Sequence, residues 1–277
     1  MKYIIDHANS RGHATHGWLE SYHTFSFAGY YNPHKIHFGA LRVLNDDRVM
    51  PGKGFDMHKH QNMEILSIPL LGHLKHQDNM GNTEVISPGM IQVMSAGTGI
   101  THGEYNDSLT EFVEFLQIWI IPKSENTKPR YDDYNLKNLL ARNQMLTIIA
   151  PDGSGITSIN QYAWVTLGFK DMGEHYHYKL HGENMGVYMF VIHGRVEVDD
   201  NTLNARDGIA ITDTQEFYVE VKENAYLLLI EVPMIELKLK KAILGVNKSL
   251  IWLSLYIFTT LIPMNTSFFV HLPDFTY

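Results

Sequence analysis

Residues 52–72 read GKGFDMHKHQNMEILSIPLLG and residues 88–104 read PGMIQVMSAGTGITHGE. The first stretch carries the couple His58-Lys59-His60 and the second carries His102-Gly103-Glu104. Both couples have i, i+2 spacing. Successive side chains of a β-strand point to opposite faces, so on a strand each couple shares one face. Two such strands side by side would aim His58, His60, His102 and Glu104 at a single point. Neutral nitrogens with one anionic oxygen suit a divalent first-row ion: Fe, Mn, Ni, Co, Cu or Zn. Protein ligands of this number leave positions for substrate or water on a five- or six-coordinate ion. That is the arrangement of a reactive centre rather than a closed structural one.

Outward from these couples the chain reads as short strands broken by turns. The apolar or β-branched runs are IHFGALRVL (36–44), MEILSIPLL (63–71), EVISP (84–88), MIQVMSA (90–96) and TEFVEFLQIWII (110–121). PGKG, QDNMGN and SAGTG between them have turn chemistry. This spacing predicts an antiparallel barrel or sandwich. Residues 122–144 are polar, include two prolines and read as a linker with one helical turn around Leu136–Arg142. Strands resume with MLTIIAP (145–151) and AWVTLGF (163–169). They continue with GVYMFVIHG (186–194), RVEVDD (195–200), GIAITD (208–213), EFYVEV (216–221) and AYLLLIEVP (225–233). The strand rhythm of 72–96 returns in 194–214, so one fold is expected twice. Pro69 lies inside an expected strand, where it removes a ladder donor. An edge position or a bulge is expected there.

Composition narrows the function classes. The 277 residues contain no Cys, which excludes disulfides, thiolate metal sites, Fe–S clusters and a cysteine nucleophile. That absence fits a cytoplasmic protein. The net charge of −8, without a basic patch, disfavours direct nucleic-acid binding. The N-terminus MKYIIDHANSRGH lacks the long apolar stretch of a signal peptide. After Pro233 the character changes: Lys238, Lys240, Lys241 and Lys248 precede a stretch without formal charge at 249–272. Its length would reach across a bilayer, but Pro263, Asn265 and several Ser and Thr weaken that reading. An appended packing helix or an extension without a role are the plainer alternatives, and the site does not depend on it.

The 52–72 stretch resembles the first cupin motif, in which a Gly precedes an H-x-H pair and a Glu follows. The ending SAGTGI-x-H-x-E at 95–104 is more particular and resembles the pirin family. RGHATHGWLESYHTFSFAGYY (11–31) and FGALRVLNDDRVMPG (38–52) resemble pirin N-termini. The resemblance covers about residues 1–233 and is stronger in the first half. It implies an all-β bicupin, with two antiparallel, jelly-roll-like β-barrel domains packed together. The implied division is an N-terminal metal-binding cupin at 1–122, a linker at 123–144 and a C-terminal cupin without metal at 145–233. An atypical apolar extension occupies 234–277.

By the same resemblance the metal ligands are His58, His60, His102 and Glu104, with one divalent transition ion, iron favoured. Glu64 occupies the usual cupin acidic position and reads as a hydrogen-bond partner orienting a ligating His rather than as a ligand. His175-Tyr176-His177 looks like a second H-x-H, with His181 and Glu183 close behind. The strand that would complete it offers Asp213 and Glu216 but no His, so His175 and His177 read as remnants. The N-terminal His7, His13, His16, His23, His34 and His37 are assigned no metal, and Trp18, Phe25 and Phe27 read as core aromatics, one of them available at the mouth of the site. The resemblance implies quercetin 2,3-dioxygenase activity, with O2 and a small aromatic or enolic substrate, and Glu104 as ligand and general base. The alternatives are a non-catalytic, metal-dependent redox sensor that binds a partner protein, and another dioxygenase or an isomerase on the same scaffold.

Overall fold

The structure, a computed structural model, describes residues 1–234. The charge-free stretch at 249–272 lies outside the described residues. Among the described residues no helix is long and apolar enough to cross a membrane.

In the first half the strands are β1 (Lys2–Asp6), β2 (Gly12–Thr15), β3 (Leu19–His23), β4 (Leu41–Val49), β5 (Gly54–His60) and β6 (Glu64–Leu71). They continue as β7 (Leu74–Asp78), β8 (Thr83–Ile86), β9 (Met90–Ser95), β10 (Ile100–Asn106), β11 (Val113–Ile120) and β12 (Arg130–Asn135). The second half holds β13 (Met145–Ile149), β14 (Trp164–Lys170), β15 (His175–Lys179), β16 (Met185–Val198), β17 (Asn201–Asn204), β18 (Gly208–Thr212) and β19 (Glu216–Pro233). Every ladder between these strands is antiparallel. The expected all-β bicupin architecture is what the chain adopts.

The first half folds as a seven-stranded sheet, β12-β9-β6-β11-β4-β3-β2, and a four-stranded sheet, β5-β10-β7-β8. The second half forms an eight-stranded sheet, β1-β18-β16-β19-β14-β13, with β15 added to β19 and β17 to β16. The amino-terminal β1 therefore belongs to the second sheet, paired with β18 from Lys2↔Thr212 to Asp6↔Gly208. Asp6, buried at its end, accepts from Tyr188 Oη at 2.9 Å and pairs with Lys35 Nζ at 2.7 Å. The polar segment after 122 also contributes a strand: β12 pairs with β9. The helical turn expected beyond it is a single turn, with Leu139 N and Leu140 N both donating to Leu136 O at 2.8 and 2.9 Å.

The eight-stranded sheet is apolar on both faces along β16 and β19, and the side-chain period shows why. On β16, Val187, Met189 and Val191 line the interior of the second half, whereas Tyr188, Phe190 and Ile192 face the first half. On β19, Leu227 and Leu229 face inward while Leu228, Ile230 and Val232 face across. They meet Leu44, Leu66, Ile68, Leu116 and Ile118 of the seven-stranded sheet in one buried cluster. A strand covered on both faces has no reason to alternate, which is why these stretches are continuous apolar runs in the sequence. The runs 186–194 with 195–200, and 216–221 with 225–233, each merge into one strand. Register shifts between Val191 and Val196 bend β16 so that it serves both sides of its barrel.

Pro69 is accommodated as its chemistry requires. The β6–β9 ladder stops at Ser67↔Gln92, and the β6–β11 register shifts between Glu114↔Leu71 and Phe115↔Pro69. The proline thus sits beyond one neighbour and beside a bulge against the other.

Candidate metal centre

The centre is built between the two sheets of the first half. β10 is the middle of its site, with β5 on one side and β7 on the other. His102 lies opposite His58 on β5 and opposite Asp78 on β7. Glu104, two residues on and on the same face, lies opposite Phe55 and His76. The pairs His102↔His58 and Glu104↔Phe55 span two residues on β10 but three on β5, so β5 is bulged between Phe55 and His58. The extra residue matters. Phe55 packs with Trp18 on an apolar cluster at one end of the barrel, and the parity change turns His58 and His60 to the same interior.

The ligand nitrogens of His58, His60 and His102 all lie within 4.8 Å of one another. The ring centroids are 4.7 Å apart for His58–His60, 4.5 Å for His58–His102 and 4.9 Å for His60–His102. Burial pushes His60 down to about 3, and the neighbouring His102 and His58 add to the effect. Burial likewise pushes His102 down to about 2, helped by His58 and His76. Both imidazoles are therefore neutral across the working pH range, as a metal ligand must be. His58 Nδ1 donates to the Asp56 carbonyl at 2.7 Å, which leaves its Nε2 lone pair free. His102 Nε2 is buried and has no hydrogen-bond partner. A buried, unpartnered ring nitrogen on one of three converging histidines is what a metal ion would satisfy. The residues present fit such an ion.

Glu104 stands apart from that triangle. Its carboxylate is buried and accepts from Ser67 Oγ at 2.8 Å, Gln92 Nε2 at 3.3 Å and Gln117 Nε2 at 2.6 Å. These donors come from one rung of the facing sheet. His23, Asn45, Gln117, Ser67 and Gln92 are consecutive cross-strand partners on β3, β4, β11, β6 and β9. The rung is a polar floor under the histidines. Above it, Trp119, Ile65, Met94 and Tyr131 form the next rung of the same face. Trp119 meets His60 edge-on at 4.9 Å, and Phe27 meets Trp119 edge-on at 5.3 Å. Of the N-terminal aromatics, Phe25 is core, Trp18 packs on Phe55, and Phe27 reaches toward the site through Trp119.

Glu64 lies on the other face of β6. It is fully buried, its Oε2 accepts from Ser95 Oγ at 2.6 Å, and burial pushes its carboxyl upward. It shares that face with Leu66 and Ile68 of the cluster between the halves, so it does not orient a ligating histidine. His175 and His177 are exposed on β15; His177 Nε2 meets Glu216 Oε2 at 3.0 Å and its ring stacks on Tyr218 at 4.3 Å. Among the described residues no metal-capable group of three forms around them. A cleft of about 650 Å³ runs beside the start of β5, among Trp18, Lys53, Phe55, Asp56 and Tyr105. The three imidazoles do not line it, so it is the ligand chemistry and not the cleft that marks the centre.

Residue-type reasoning passed over one pair. His76 and Asp78 on β7 form a third i, i+2 couple of the first half, His76-Gln77-Asp78, hidden because Asp78 falls within the turn composition of QDNMGN. His76 Nε2 meets Asp78 Oδ2 at 3.1 Å with both side chains fully buried, and His76 Nδ1 lies 3.4 Å from His102 Nδ1. Burial works against the Asp78 charge. Hydrogen bonds from Asn82, His76 and the Asn82 and Met80 amides outweigh it and hold the carboxyl below its usual range.

Comparison with known proteins places this geometry in a family. A profile of the pirin family matches residues 5–120, and a profile of the quercetinase C-terminal cupin domain matches residues 147–232. The chain is 42% identical over 230 residues to a quercetin 2,3-dioxygenase of Escherichia coli, covering 82% of this chain and 96% of that one. It is 39% identical over 222 residues to a pirin-like protein of Caulobacter vibrioides, covering 79% and 95%. The crystal structure of the bacterial pirin YhhW from Escherichia coli in complex with nickel(II) superposes with a TM-score of 0.80 at 37% identity, covering 84% of this chain and 100% of that one.

Proposed function

The chain belongs to the pirin family, and from that footing we propose that it is a metal-dependent dioxygenase that opens flavonols such as quercetin with O2 and releases CO. The observation that carries this reading is the convergence of the His58, His60 and His102 imidazoles, with the buried His102 Nε2 left without a hydrogen-bond partner. These histidines would hold the ion, with Glu104 as the fourth ligand beside them. Iron is the ion proposed for turnover; the nickel(II) held by the Escherichia coli pirin is the first alternative to test. When bound, such an ion acts as a Lewis acid that acidifies a coordinated hydroxyl and brings it close to O2.

The chain's own residues do the rest. Glu104 takes the proton of the flavonol 3-hydroxyl. Ser67, Gln92 and Gln117 hold its two oxygens in place, so the acceptor is oriented before substrate arrives. Trp119, buttressed by Phe27, supplies an aromatic wall against which a flat ring system packs. Ile65 and Met94, both fully buried, keep that side of the centre dry. The deprotonated flavonol ring is then attacked by O2 and opens with loss of CO. The division of labour follows the proposed domains: metal chemistry at 1–122, and scaffold at 145–233, whose interior is an apolar cluster with the buried Glu231 accepting from Tyr178 Oη at 2.7 Å.

The test is anaerobic loading of the metal-free protein with iron(II) or nickel(II), followed by quercetin and O2. Loss of flavonol absorbance with release of CO is expected, and His58→Ala should abolish it. Stoichiometric metal without turnover for any ion would refute the catalytic reading and favour the non-catalytic sensor. Failure to bind any metal would refute the centre itself.

A further inference from the structure

We infer that His76 and Asp78 are positioning residues of this centre, a buried hydrogen-bond relay that fixes the tautomer of His102 and presents its Nε2 unprotonated to the ion. The inference rests on the proposed metal centre and adds two residues to it that are not among its ligands.

The donor directions follow from what each group can do. The Asp78 carboxylate only accepts. Its Oδ1 takes the Met80 amide at 2.8 Å and the Asn82 amide at 3.0 Å, and its Oδ2 takes Asn82 Nδ2 at 2.7 Å. The carboxylate is thereby locked by the β7–β8 turn, and the hydrogen between it and His76 Nε2, 3.1 Å away, must sit on the histidine. A neutral His76 protonated at Nε2 has a lone pair at Nδ1. His102 Nδ1 lies 3.4 Å from that lone pair and is the group that donates to it. His102 then carries its hydrogen on Nδ1, and Nε2 is left as a bare lone pair. The opposite tautomer would put a hydrogen on Nε2, where the buried atom has no acceptor, and would leave Nδ1 facing a second lone pair.

The contact is long for an N–H···N bond. A cation held at Nε2 would acidify the Nδ1 hydrogen and strengthen that bond. The His76 ring is held for the task by stacking on Tyr131 at 4.2 Å and 18°. On His58, the Asp56 backbone carbonyl performs the same service. Carboxylate or carbonyl partners of ligating histidines act in this way generally, and their loss costs about 10- to 100-fold in metal affinity.

Two substitutions separate a relay from a packing role. His76→Phe keeps the ring and its stacking but neither hydrogen bond. His76→Gln gives up the ring but retains an acceptor toward His102 and a donor toward Asp78. Affinity of the metal-free protein for nickel(II) and cobalt(II) is read by competition with a chromophoric chelator, and the His102 tautomer by 15N-histidine NMR before metal is added. The expected result is a loss of about 10- to 100-fold for His76→Phe, with Nε2 of His102 becoming partly protonated, and recovery of most of the affinity and of the tautomer in His76→Gln. Asp78→Asn, which retains the Oδ1 acceptor of the turn, should fall between them. Wild-type affinity and an unchanged His102 spectrum in His76→Phe would overturn the relay. So would equal losses in Phe and Gln that track thermal stability. Absence of metal binding by the wild type would overturn the proposed centre, whereas the NMR of metal-free wild type with hydrogen on Nε2 would overturn the relay alone.

Discussion

Replacing Asp47 by Asn should stabilise the protein at alkaline pH and do progressively less as the pH falls. Asp47 is buried on β4, where the Ser21 hydroxyl donates to its Oδ1. Burial pushes its carboxyl from 3.8 up to about 7; the Ser21 bond opposes the shift, and the charges of Asp46 and Glu104 add to it. In the unfolded chain the group ionises at the lower value, so between about 4 and 7 the folded state holds the extra proton. Stability from this group is complete below the unfolded value and is lost as the pH rises through 7. A difference of about 3 units at about 1.36 kcal/mol each puts the full loss near 4 kcal/mol. About 1.6 kcal/mol of it has already gone at pH 5, so the pH-dependent part between 5 and 8.5 is roughly 2–3 kcal/mol. Asn keeps the acceptor for Ser21 and cannot ionise, and whatever its buried amide costs does not change with pH. Urea unfolding of the metal-free wild type and Asp47→Asn at pH 5 and 8.5 measures the difference directly. The gap between the two proteins should move by roughly 2–3 kcal/mol in favour of the variant at the higher pH. A gap that is the same at both pH values would refute the assignment of a strongly raised carboxyl to this position.

Glu104→Gln should fold, with stability changed by about 1–2 kcal/mol, because Gln117 can reverse its amide and accept from the new one; metal affinity should drop and flavonol turnover vanish in the chelator and CO assays. Turnover at the wild-type rate would remove Glu104 from the proton transfer. Gly54→Ala places a Cβ against the Glu104 carbonyl oxygen and the Tyr105 Cα, so β5 must move away from β10. A loss of about 1–3 kcal/mol together with weakened metal binding is expected from denaturation and chelator titrations, and an unaffected centre would show that the bulge tolerates displacement. Tyr188→Phe removes the hydroxyl that holds Asp6 at the end of β1, while Lys35 remains on that carboxylate. About 1–2 kcal/mol should be lost in thermal or urea unfolding, with flavonol turnover unaltered.

The histidine couples and the strand content were legible for local reasons. An H-x-H or H-x-E couple needs only the two-residue period of a strand to share a face, and that period is written in the chain at His58, His60, His102 and Glu104. The apolar runs of β6, β11, β14, β16 and β19 are legible for the same reason, since burial demands their composition wherever they pair. The short polar strands were not: β2, β12 and β17 hold few apolar residues, and only their partners make them strands. Glu64 has the spacing of a site residue, but the alternation that puts Ser67 on the floor of the centre puts Glu64 on the far side of β6.

By itself, then, the sequence determined an antiparallel double fold without thiol chemistry and offered His58, His60, His102 and Glu104 as candidate ligands. Tertiary structure alone decided that the three imidazoles converge while the Glu104 carboxylate is held by the facing sheet. The β5 bulge sets Phe55 and His58 on one face, and cross-strand register lines up Gln117, Ser67 and Gln92 beneath Glu104. Register also lays β7 beside β10, so that Asp78 and His76 stand behind His102, and β1 crosses to the second sheet. The physical reason is that side-chain period is a property of neighbouring residues, whereas register is set by pairing between strands distant in the chain, where a slip of one residue would reverse every face.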